Sequence, residues 1–122
     1  MNRTHAMRMA ALMGLLAVVL GAFGAHALKE VLARTPTAQG LWEKAVFYHF
    51  IHAVMLFFLA TRRPPPFVPW VGFLLGILLF SGSLYLYAAT GVHWLVALTP
   101  IGGVCFMVGW VCLIISPPMD SN

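Results

Sequence analysis

The sequence predicts an all-α integral membrane protein, a bundle of four transmembrane helices with antiparallel neighbours, and three observations carry that expectation. Of 122 residues, 61% are hydrophobic and 8% charged, whereas a soluble domain is nearer half apolar and a quarter charged. The apolar residues gather into four blocks of about twenty, the length that crosses a hydrocarbon core. The charged residues stand at the ends of those blocks or between them. The same arithmetic excludes a soluble globule, a disordered chain, a disulfide scaffold and a two-domain enzyme, and leaves a single transmembrane domain over residues 1–122.

The first span is expected over about residues 9–28, bracketed by Arg8 and Lys29. Arg3, Arg8, the apolar run and Ala25-His26-Ala27 imitate a signal peptide, but the run is longer than the usual apolar core, so the span is expected to be retained. The second span is expected over about 45–60, between Lys44 and Arg62-Arg63. Its helix should start earlier, because Thr35-Pro36 reads as an N-cap followed by proline at the first helical position. The third span is expected over about 70–89, after a stiff break at Pro64-Pro65-Pro66 and Pro69. The fourth is expected over about 95–115, with Thr99-Pro100 as N-cap and first-turn proline. The short Thr90–Trp94 link makes the last two spans an antiparallel hairpin. Leu28, Val31 and Leu32 fall opposite Lys29, Glu30 and Arg34, which suggests a short interfacial helix between spans one and two. Trp42, Trp70, Trp94 and Trp110 read as interfacial aromatics.

The net charge of +4 arises from seven Lys/Arg against three acids. With no basic stripe interleaved with aromatics, it points to lipid headgroups and not to nucleic acid. Arg3, Arg8, Arg62 and Arg63 on one side against Lys29, Arg34 and Lys44 on the other favour cytoplasmic termini. Cys105 and Cys112 are two helical turns apart, too far for a mutual disulfide.

Helices in lipid approach each other through small residues. The first span offers Ala10, Gly14, Ala17, Gly21 and Gly24; the third offers Gly72 and Gly76; the fourth offers Gly102, Cys105, Gly109, Cys112 and Ser116. These stripes serve either a tightly packed monomer or self-association. The polar residues are rarer. His49 and His52 lie i, i+3 on the second span, and His52 stands about 12 Å along the axis from Lys44. An ionisable side chain at that depth faces the bundle interior. His26, Tyr48, His49, His52 and Glu43 are therefore expected to form one polar cluster at the end of the bundle where span one meets span two.

Three roles compete for that cluster. It could tie helices together by hydrogen bonds, conduct protons or ions, or hold a metal or haem. Against a pump, the only acids are Glu30, Glu43 and Asp120, none of them mid-span. No nucleophile elbow, phosphate loop, dinucleotide-binding glycine pattern or paired carboxylate occurs. No catalytic residue, metal site or cofactor is assigned. Ser81 and Ser83 are expected to bond back to their own helix or across to a neighbour.

Several strings taken together carry a resemblance. They are Gly21-Ala22-Phe23-Gly24-Ala25-His26, then Ala45-Val46-Phe47-Tyr48-His49-Phe50-Ile51-His52-Ala53, Leu79-Phe80-Ser81-Gly82-Ser83-Leu84-Tyr85, Thr99-Pro100-Ile101-Gly102-Gly103, and Gly109-Trp110. In this order they resemble the YgdD-like family of small four-helix membrane proteins, relatives of the eukaryotic transmembrane protein 256, over about residues 9–115. The resemblance implies a bacterial inner-membrane or mitochondrial-type setting with no established activity, substrate or cofactor. It maps the family's recurrent positions onto Gly21, Gly24, His26, Tyr48, His52, Ser81, Gly82, Tyr85, Pro100, Gly102, Gly103 and Gly109. Many members carry glutamine where this chain has His49, which argues against an obligatory two-histidine metal site.

The expected role is a non-catalytic scaffold, lipid-contacting or accessory subunit in the bacterial inner membrane. Its partners would be the lipid bilayer and either a second copy or a larger membrane complex. The alternatives are a small channel or transporter using the histidines and, third, a haem- or metal-binding electron-transfer helper.

Overall fold

The computed structural model describes residues 1–120. Four helices are long and apolar enough to cross a membrane, over Arg3–Ala25, Ala38–Ala60, Phe67–Thr90 and His93–Ile115. They run up and down, so both ends of the chain lie at the same end of the bundle as the Thr61–Pro66 loop. There the Arg63 amide donates to the Asp120 carboxylate at 3.2 Å.

The second and fourth spans end at Ala60 and Ile115, where the apolar pattern puts them, and the other boundaries shift for local reasons. Helix α1 covers Arg3–Ala25 and begins six residues before Met9, because the Asn2 side chain accepts from the His5 amide and caps it. It stops three residues short of Leu28, whose amide closes on the Phe23 carbonyl. Helix α2, Lys29–Ala33, is the short connecting helix; its Leu32 is fully buried against Trp42, Leu84 and Tyr85. Helix α3, Ala38–Ala60, does not start at Pro36. The Ala38 amide donates to Thr35 and the Leu41 amide to Thr37, so Thr35, Pro36 and Thr37 form a turn ahead of the helix and Thr37 holds the cap position.

The third span is continuous but not uniform. Helix α4, Phe67–Gly76, accommodates Pro69 in its first turn, where amides have no helical acceptor. A single π-helical turn follows over Ile77–Ser81, and α5 completes the span over Gly82–Thr90. Gly91 ends it with a left-handed φ of 71°, a conformation glycine adopts without steric cost. The fourth span opens as a 3-10 turn over His93–Ala97 and becomes α6 over Leu98–Ile115. Thr99 and Pro100 therefore lie inside the first turn, and Ala97 holds the cap position expected of Thr99.

Helix α1 packs along α3, α3 packs on the third span, and α6 packs against the other side of that span. The third and fourth spans meet through glycine. A Cβ on Gly102 would stand 2.7 Å from the Phe80 Cα and 2.8 Å from the Leu79 carbonyl carbon. One on Gly72 would stand 3.1 Å from the Cys105 carbonyl oxygen, and one on Gly109 would press on the Phe73 ring. Gly76 likewise admits the Phe106 ring and Gly24 the Trp42 ring. Gly21 is in ordinary contact with Val46. Gly14 stands apart, with nothing within 4 Å of its Cβ direction; the buried stripe of α1 is Ala6, Ala10, Met13, Ala17 and Gly24. Cys105 and Cys112 are free and half-buried.

Candidate functional site

The polar groups of the interior make interhelical bonds, and the densest set surrounds His52. This residue is 4% exposed. Its Nδ1 lies 2.7 Å from the Tyr48 carbonyl of the preceding turn, and its Nε2 accepts from the Trp110 indole N–H on α6 at 3.0 Å. The imidazole stacks on Phe106 with centroids 3.7 Å apart and meets Phe73 edge-on at 5.2 Å. The ring thereby links α3, α4 and α6 through one side chain.

His49, 2% exposed, points elsewhere. Its Nδ1 pairs with the Tyr85 hydroxyl on α5 at 2.8 Å, while its buried Nε2 makes no well-formed hydrogen bond, the Met13 backbone of α1 lying within reach of the ring. Three further bonds cross between helices. The Ser81 hydroxyl donates to the Ala45 carbonyl at 2.8 Å, the Trp42 indole to the Leu20 carbonyl at 2.8 Å, and the Trp70 indole to the Leu56 carbonyl at 3.2 Å. The π turn brings Ser81 onto α3: the Gly82 amide reaches back to Ile77, rotating the face of the span at that point. The Ser83 hydroxyl lies 2.9 Å from the Phe80 carbonyl and 2.6 Å from the Thr99 hydroxyl.

The expected five-residue cluster is not assembled. His26 is the exposed C-cap of α1. The Trp42 ring lies on Gly24, so the chain end of α1 is level with the start of α3, and His49 stands seven residues, about 10 Å, deeper along α3 than Trp42. Glu43 is exposed and accepts from the Gln39 side chain at 3.2 Å. Tyr48 contributes its carbonyl to His52, while its own ring sits on the outside against Phe80 and Phe106. A step of three residues along a helix leaves the two side chains about 60° apart in direction and about 4.5 Å apart in height, enough here for the two rings to meet different neighbours.

Sequence reasoning missed the partners. Trp110, read from sequence only as an interfacial aromatic, donates to His52, and Trp42 and Trp70, at 4% and 7% exposure, are buried within the bundle. Trp94, at 67%, is the most exposed of the four, and Trp110 is 39% exposed. The signal available was a polar N–H or O–H in mid-span, at Trp110 and Tyr85, which lipid cannot satisfy. Among the described residues no three His, Cys, Asp or Glu side chains converge in a way that could hold a metal ion.

Comparison with known proteins gives a consistent kinship. Residues 20–103 match the family described as protein of unknown function DUF423. A UPF0382 membrane protein of Staphylococcus epidermidis is 44% identical over 110 residues, covering 87% of this chain and 88% of the relative. The Bacillus subtilis UPF0382 membrane protein YwdK is 42% identical over 113 residues, covering 87% and 89%. The Escherichia coli UPF0382 inner membrane protein YgdD is 35% identical over 111 residues, covering 87% and 83%. No solved structure matches the chain. Four membrane-length helices tied by these bonds, and a match over most of the chain, place it in the DUF423 family, as a multi-pass protein of the bacterial inner membrane.

Proposed function

We propose that this protein is a non-catalytic helical scaffold, an accessory subunit that packs against itself or a larger assembly in the inner membrane. The observation that supports this best is the state of the His52 ring, with Nδ1 engaged by the Tyr48 carbonyl of its own helix and Nε2 by the Trp110 indole that ties α3 to α6. A proton carrier needs a ring nitrogen that can gain and lose its proton, and a metal ligand needs a free lone pair. His52 offers neither while Trp110 is in place. Ser81, Trp42 and Trp70 are engaged in the same way, each bonding to a carbonyl of a neighbouring helix.

A small proton or ion path is the second reading, favoured by one observation, the buried Nε2 of His49, which makes no well-formed hydrogen bond. Reconstitution into vesicles with a trapped pH-sensitive dye separates the two. Under the scaffold reading an imposed pH gradient decays at the rate of protein-free vesicles. A faster decay that His49→Gln abolishes overturns the scaffold and installs the path.

A further inference from the structure

The outer side of α1 and α3 carries a groove of about 450 Å³, lined along its length by Gly21, Val46, Phe47, Phe50 and Ile51. Sequence opens it. Gly24 lets the Trp42 ring lie against α1, and Gly21 adds no side chain beside Val46. The Trp42 indole N–H is already donated to Leu20, so its contribution to the groove wall is apolar. From Glu43 to Ile51 the groove follows α3 for eight residues, about 12 Å. That is close to the depth of one leaflet of hydrocarbon, roughly 15 Å.

The shallow end is charged. Glu43 lines this groove, and Lys29 lines an adjoining depression of about 330 Å³ that shares Gly24, Ala25 and Gln39 with it. Both charged side chains are exposed. Gln39 stands at the junction and donates to one Glu43 oxygen, leaving the other free. Among the described residues neither Lys29 nor Glu43 has an ion-pair partner.

We propose that this groove binds one bilayer phospholipid with a phosphoethanolamine headgroup. The apolar part of the groove, from Val46 to Ile51 and about 7.5 Å long, takes the upper part of an acyl chain, and the charges above it match a headgroup of both signs. Lys29 faces the phosphate, while the free Glu43 oxygen accepts from the primary ammonium. A choline headgroup has the same charges but no N–H to give Glu43. A glycerol headgroup brings no cation and sets its phosphate charge against the Glu43 carboxylate. The inference is independent of the scaffold reading, because it concerns the lipid-facing side of α1 and α3 and not the bonds inside the bundle.

The test is native mass spectrometry of the full chain in mild detergent, offered dioleoyl lipids with ethanolamine, choline or glycerol headgroups at equal concentration. One ethanolamine lipid per chain is expected to be retained about tenfold over the other two, the low end of the effect of one hydrogen bond between charged groups. Glu43→Gln keeps an oxygen for Gln39 and should bring ethanolamine retention down to the choline level without moving the unfolding midpoint. Lys29→Gln should weaken all three lipids and leave the ethanolamine-to-choline ratio unchanged. Equal retention of the three lipids, or a preference that survives Glu43→Gln, overturns the proposal. So does a two-chain mass that excludes lipid, which assigns the groove to a second copy.

Discussion

The Trp110 indole donates its N–H to Nε2 of His52 at 3.0 Å, joining two helices whose backbones make no close contact. An indole can only donate and a carbonyl can only accept. With Trp110 on Nε2 and the Tyr48 carbonyl on Nδ1, the partners assign His52 as the neutral imidazole carrying its proton on Nδ1. Nitrogen NMR of the histidine-labelled protein in detergent should therefore show an unprotonated Nε2 for His52 near neutral pH. An Nε2–H signal for this residue would contradict the geometry.

The same bond should be measurable as a coupling. Trp110→Phe keeps the ring against Phe73 but removes the donor, and His52→Leu removes the acceptor. In a double-mutant cycle on unfolding in mixed detergent, the coupling is expected at about 0.6 kcal/mol, with ~1.7 as the ceiling for such bonds in membranes. Additive single effects would mean that the two helices are held by ring packing alone.

Gly102 and Gly14 should respond oppositely to alanine. A methyl on Gly102 meets the backbone of Leu79 and Phe80, which cannot swing aside, so Gly102→Ala should lower stability by about 1–3 kcal/mol. Gly14 meets nothing within 4 Å, and Gly14→Ala should be neutral or stabilising by up to about 1 kcal/mol through helix propensity. Thermal unfolding of the two variants side by side decides this. A destabilised Gly14→Ala would show that α1 packs on a surface outside the monomer.

The four tryptophans should divide in solvent contact. Trp94, at 67% exposure and next to the hairpin turn, should account for most of the fluorescence that aqueous iodide quenches. Trp94→Phe should remove most of that quenchable fraction. Persistent quenching in the variant would place Trp42, Trp70 or Trp110 in water.

Particular residues show where reading the sequence succeeds and where it stops. The steps of three and four from Gly102 through Cys105 to Gly109 mark the face of α6 that meets Gly72, Phe73 and Phe80, because a rigid helix turns linear spacing into a stripe. Gly14 occupies an equally regular position with open space in its Cβ direction, since among the other spans α1 packs along α3 alone. Spacing along one chain says which residues share a face. It carries no information on whether another helix arrives there.

The histidines make the same point for the polar interior. That His49 and His52 had to be satisfied inside the protein followed from their depth in an apolar segment. Which groups satisfy them did not, because Tyr85 and Trp110 are 36 and 58 residues away. The π turn at Ile77–Ser81 has no apolar signature, yet it aims Ser81 at the Ala45 carbonyl.

The number of helices, their order and their membrane setting are thus properties of the sequence itself, since the transfer of each segment into lipid is close to a sum over its own residues. The separation of His26 and Glu43 from the histidine pair, the His52–Trp110 bond and the groove between α1 and α3 were decided only by tertiary structure. They depend on axial register and rotation between helices, set by the Trp42 ring on Gly24 and by backbone contacts at Gly72 and Gly102 that no single segment encodes alone.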